Sequence, residues 1–200
     1  MSLVDRLRHI LRRQRRYASY FEWPHKPIKE LGVVKELIKA MDSSGNMEFR
    51  SPDVGPDPNL APDCVALDRE GRPVALEVCE LVSEEAIRLN QHATRLEDRV
   101  YRDWQPDDVL REIRRILEVK DSKTFHGGPY SGIVVVIHAD EMTIKSDAYA
   151  DLLQAQTFGP FRRITDGYFL FSYEPDVGHC PYVRLKIPAP GTPGGSGRGA

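Results

Sequence analysis

Cysteine is scarce in this chain, with three residues (Cys64, Cys79 and Cys180) spread too widely for a CxxC pair or a zinc-binding spacing. That scarcity excludes a disulfide scaffold and predicts a reduced, cytoplasmic setting. Long apolar runs are missing as well. None approaches the roughly 20 residues of a membrane-spanning helix, and the first residues have no apolar core of the secretory type, so no membrane partner is expected. Aromatic residues are few, at 8%. A strong charge of one sign is also absent: the formal net charge is -2, which excludes a molecule that is polycationic as a whole.

Locally the charge is uneven. Arg6, Arg8, Arg12, Arg13, Arg15 and Arg16 crowd the first sixteen residues, interleaved with Leu3, Val4, Leu7, Ile10 and Leu11 at helical spacing. The pattern predicts a basic amphipathic helix. Its arginine face is either a solvated surface of a docking helix or an arm that grips nucleic-acid phosphates. We divide the chain into this basic helix and linker (1–26), an α/β domain (27–187), and a Pro/Gly/Ser-rich tail (188–200) that reads as disordered.

Pro27 suits the first turn of a helix running to about Met41, with Leu31, Val34, Leu37, Ile38 and Met41 on its apolar face and Gly45 closing it. Glu30 lies close to that buried stripe, while Glu36 points further towards solvent. Residues 51–61 carry strong turn signals and read as a loop. A second amphipathic helix is expected from Pro106 to about Lys120, its apolar stripe formed by Val109, Leu110, Ile113, Ile116 and Leu117. Lys120 continues this stripe, and Lys123 is one turn beyond. Residues 132–138 form a β-branched run of the kind found in strands covered on both faces. A short helix over 146–155 and late strands over 168–173 and 182–187 complete an α/β class with a mixed central sheet flanked by helices.

The segment with most chemical content is 61–81, which contains Pro62-Asp63, a turn around Gly71, and then Val74-Ala75-Leu76-Glu77-Val78-Cys79-Glu80-Leu81. Alternation about a glycine turn predicts a β-hairpin with an acid at the head of one strand and another within the next. A carboxylate inside an apolar strand is costly unless its charge is compensated. Asp63 taken alone could be a strand-entry residue, and an edge strand could expose Glu77. Together they suit a divalent cation such as Mg2+ or Mn2+, with the Val78 carbonyl as a further oxygen ligand. Glu80 is expected to face solvent or lie beside a loop, with an outer ligand role as the alternative, and Cys79 to be a small buried apolar side chain. His138, Asp140 and Glu141, at the end of the buried run, could bind a metal as a cluster, but a strand-to-helix loop is naturally rich in such residues and they read as an ordinary polar loop.

Pro62-Asp63, the hairpin and Glu77-Val78-Cys79 resemble the core motif of the PD-(D/E)xK nuclease superfamily. In that restriction-endonuclease-like fold a helix precedes the hairpin, and a crossover helix and a further strand follow. The resemblance covers roughly residues 27–140. It implies hydrolysis of phosphodiester bonds in DNA, with RNA as an alternative substrate, and metal held by Asp63 and Glu77. Cys79 stands where the family has its lysine. Some members move that lysine to the helix after the hairpin, which would assign the role to Lys120; the same residue could instead snorkel from the helix end. Glu30 matches a glutamate that several branches carry on the first core helix. The missing lysine leaves two alternatives open. One is an inactive nucleic-acid-binding module that keeps the fold. The other is an immunity or accessory protein that pairs with a neighbouring gene product, or with a second copy of itself.

Overall fold

The computed structural model describes residues 25–57, 62–90, 102–139, 141 and 143–189. The arginine-rich segment, Asp140 and nearly all of the tail lie outside the described residues. Helix α1 (Lys26–Ser43) opens with Pro27 in its first turn and buries Glu30, Val33, Val34, Leu37, Ala40 and Met41, the three- and four-residue spacing of one helical face. It ends at Gly45, whose φ of 70° lies in the left-handed region that glycine adopts without penalty.

The six strands are β1 (Arg50–Val54), β2 (Cys64–Leu67), β3 (Pro73–Leu81), β4 (Ile133–Ala139), β5 (Ile164–Leu170) and β6 (Tyr182–Arg184), and they lie in chain order across one sheet. β1, β2 and β3 are antiparallel to one another. β4 runs parallel to both β3 and β5, and β6 closes the far edge antiparallel to β5. The β3–β4 crossover contains α2 (Glu84–Asn90) and α3 (Pro106–Asp121), and the β4–β5 crossover contains α4 (Ser146–Ala155).

Strand alternation divides the core into two layers. On one face Val33, Val34, Leu37 and Met41 of α1 pack with Leu76, Val78, Val134, Val136 and Tyr168. On the other, Ile113, Ile116 and Leu117 of α3 and Leu153 of α4 pack with Leu81, Val135, Ile137 and Phe169. The fold is therefore a mixed six-stranded sheet covered by helices on both faces, in agreement with the class read from the sequence.

Two local expectations are corrected. Residues 50–54 form an edge strand and not a loop, with a register shift between Arg50 and Asp53; an edge tolerates Pro52 because the missing N–H interrupts no interior ladder. β5 begins earlier and ends sooner than 168–173, its early part held where the Arg184 guanidinium binds Asp166 at 2.5 and 2.8 Å, and β6 begins at Tyr182 as expected but ends at Arg184 instead of 187.

Candidate functional site

The site is built where β2 begins beside β3. Asp63 is fixed twice. Its main-chain carbonyl accepts the Gly55 N–H at 3.0 Å, and its side-chain Oδ2 accepts the Val78 N–H at 2.9 Å. A Cβ on Gly55 would lie 1.8 Å from the Pro62 carbonyl oxygen, so only glycine permits this approach. Because N–H and C=O of one residue leave an extended strand on the same side, the Val78 carbonyl is directed to the edge where Asp63 sits.

Glu77, one residue past the end of the β2–β3 pairing at Leu76, projects towards α3 and is only 1% exposed. A carboxylate this deeply buried needs charge compensation, and α3 supplies it. Lys120 Nζ donates to Glu77 Oε2 at 2.5 Å and lies 3.8 Å from Asp63 Oδ2. Lys123 Nζ donates to the same Glu77 oxygen at 2.8 Å. The end of α3, which carries Lys120 and leads into Lys123, is pinned in place, because the Asp121 carboxylate accepts the N–H groups of Arg162, Arg163 and Ile164 at the entry to β5. Arg163 also donates to the Lys123 carbonyl.

From the opposite side α1 contributes Glu30 and Lys26. Lys26 Nζ stands 3.0 Å from Glu30 Oε1 and 3.8 Å from Asp63 Oδ1, tying the two acids together. Burial, followed by the charge of Asp63, pushes the Glu30 carboxyl above its ordinary range, although Lys26 pulls it back. Burial opposes the charge of Lys120, yet Cys79, Glu77 and Asp63 outweigh it and raise the Lys120 pKa. Burial pushes the Cys79 thiol up to about 11, so it is neutral near pH 7 and the two carboxylates hold the ammonium there.

Lys120 thus links Asp63 to Glu77, Lys26 links Asp63 to Glu30, and the Val78 N–H donates to Asp63. Lys120 does not snorkel away from the helix end. Lys26, Lys123 and Gly55 are site residues that the sequence reading left out. The first has a signal, the four-residue spacing to Glu30, and the second lies three residues after Lys120. Arg6, Arg8, Arg12, Arg13, Arg15 and Arg16 lie outside the described residues.

The other polar residues have structural partners. Glu80 does not face solvent freely, because it forms an ion pair with Lys29. Glu141 accepts the Ser83 N–H at 2.6 Å beneath the start of α2. Cys79 is partly buried against the α3 layer. Among the described residues, no three His, Cys, Asp or Glu side chains converge as a group able to hold a metal ion. The two acids brought to Lys120 offer hard oxygen atoms, the donor type of magnesium-like cations, and among the described residues no pair of thiolates or imidazoles of the kind a zinc cage uses lies beside them.

No protein-family model, curated protein or solved structure matches this chain. Among the described residues, no helix is long and apolar enough to cross a membrane.

Proposed function

We propose that this protein is a metal-dependent nuclease of the PD-(D/E)xK type, with a restriction-endonuclease-like core, that hydrolyses phosphodiester bonds in DNA. One observation carries the reading. A single ammonium, Lys120 Nζ, reaches both Glu77 and Asp63, so an acid within β3 and an acid at the entry to β2 lie close together, and each has a second carboxylate oxygen besides the one facing Lys120. Support also comes from the element order, with α1 before the hairpin and α3 crossing over to the parallel strand β4.

In this reading Asp63, Glu77 and the Val78 carbonyl hold Mg2+ or Mn2+. When bound, the metal supplies a Lewis acid and lowers the pKa of a coordinated water. Lys120, raised in pKa and tethered by two acids, keeps its proton and presents it to the attacking water or to charge developing on the phosphate. Its position on α3 compensates for Cys79, whose neutral thiol has no such charge. Glu30, held through Lys26, adds negative charge beside Asp63 and accepts hydrogen bonds from water around the site. The arginines of the first sixteen residues would contact phosphate without reading sequence.

Cleavage of plasmid DNA by the full chain with Mg2+ or Mn2+, compared with Asp63→Ala and Glu77→Gln, tests the proposal. Cleavage is expected to vanish in each variant while the folded circular dichroism spectrum persists; undiminished cleavage by either variant rejects the mechanism. A second reading, an inactive nucleic-acid-binding or accessory module, is favoured by the charge balance of the site. Glu30, Asp63 and Glu77 already face Lys26, Lys120 and Lys123. Metal-independent DNA binding with no cleavage under any divalent ion would select that reading.

A further inference from the structure

Glu77 Oε2 accepts two ammonium groups at once, from Lys120 at 2.5 Å and Lys123 at 2.8 Å. The two lysines are not equivalent. The Lys120 side chain is 15% exposed and also approaches Asp63, whereas the Lys123 side chain is 46% exposed and its ion pair is with Glu77. The cluster of three acids and three lysines is formally neutral. A divalent cation entering it unchanged would meet three ammonium groups and find its most buried carboxylate oxygen doubly occupied. Lys26 is the most exposed of the three, at 77%, but it sits on Glu30 and Asp63 and does not occupy Glu77; of the two ammonium groups on Glu77 one has to leave, and Lys123 leaves at the lower cost. Nearly half of its side chain is already in water, its compact charge is readily hydrated, and its main chain stays anchored through Arg163.

Building on the metal-site reading above, we propose that Lys123 is a placeholder cation: it holds Glu77 in the metal-free protein and gives up that oxygen when a divalent ion binds. Lys120, tied to both acids, remains. Such an arrangement keeps a buried carboxylate compensated before loading and makes the metal compete with an internal ammonium. Affinity is thereby set by a residue that need not touch the metal.

The test uses the full-length protein and Mn2+ as the probe, titrated calorimetrically. Lys123→Gln is expected to bind Mn2+ about fivefold more tightly than the unaltered chain, the scale of releasing one partly exposed ion pair. Lys39→Gln removes a charge from α1 that pairs with Glu36 instead, and is expected to leave the affinity within about twofold. Asp63→Ala is expected to lose the binding. In a second measurement on the unaltered chain, acetylation by an amine-reactive reagent is followed by mass spectrometry. Lys123 should label faster when Mn2+ is saturating. If Mn2+ binding depends on Asp63 but Lys123→Gln binds no more tightly, or Lys123 labelling does not change, the placeholder role is overturned and the metal site stands. If no chain shows Asp63-dependent Mn2+ binding, the metal site falls and the placeholder with it.

Discussion

Acid should weaken this fold through one residue outside the candidate site. His138, in the middle strand β4, is 1% exposed; burial, followed by the nearby Lys29 ammonium, lowers its pKa to about 3. Glu80 is its register partner on β3 and is itself paired with Lys29. The imidazole is therefore neutral in the folded chain, while in the unfolded chain it charges near its ordinary value of about 6.5. A folded pKa below the unfolded one means that the unfolded state takes up the proton first. The stability contributed is present above pH 6.5 and is lost as pH falls towards 3. At about 1.4 kcal/mol per pH unit, the loss between pH 7 and pH 5 is about 2 kcal/mol. Urea unfolding at pH 7, 6 and 5 measures it directly, with His138→Leu as the comparison. The unaltered chain should lose about 2 kcal/mol more across that range than the variant does. Equal pH slopes in the two proteins would refute the buried neutral imidazole. The result also bears on the proposed function, because a decline below pH 6.5 in any cleavage found would then reflect unfolding as well as chemistry.

Gly55→Ala should cost about 2 kcal/mol or more in denaturant unfolding, because its methyl group would collide with the Pro62 carbonyl and break the bond that seats Asp63; a neutral substitution would show that the β1 end is pliable. Lys120→Ala should lower the cleavage rate by about 100-fold, far more than Lys123→Ala, since only Lys120 approaches both acids. Equal losses in single-turnover assays would move the catalytic charge elsewhere. Ile113→Ala, which empties a fully buried position under α3, should destabilise by roughly 2–5 kcal/mol, and a melting temperature within a degree of the original would contradict that packing. Replacing Arg6, Arg8, Arg12, Arg13, Arg15 and Arg16 with glutamine should flatten the salt dependence of DNA binding; an unchanged slope would remove the phosphate-gripping role from that segment.

Helices α1 and α3 were legible in the sequence because each joins a first-turn proline to an uninterrupted apolar stripe, and α1 also ends at a glycine. The β2–β3 hairpin was legible from its alternation and from Gly71, which sits at a φ of 80°. β1 was not, because Ser51-Pro52-Asp53 has the composition of a turn and becomes a strand only by pairing with β2. The start of β5 was hidden for the same reason: Thr165-Asp166-Gly167 looks like a turn until Arg184 on β6 supplies a cross-strand partner. At the site, Glu77 stood out as a charge in an apolar strand, and Lys120 as a cation where the stripe called for an apolar side chain. Lys123 lies past Asp121, beyond the helix, where periodicity no longer says which way a side chain points. Gly55 could not be recognised without knowing that Pro62 passes beside it.

The central claim is that Asp63 and Glu77 hold a single divalent cation between them. A crystal of the full chain soaked in Mn2+ tests it most directly by anomalous diffraction. One strong peak is expected within coordination distance of both carboxylates and the Val78 carbonyl, and it should disappear in Asp63→Ala. A map with no peak there, or with manganese bound only at other acids, would contradict the claim.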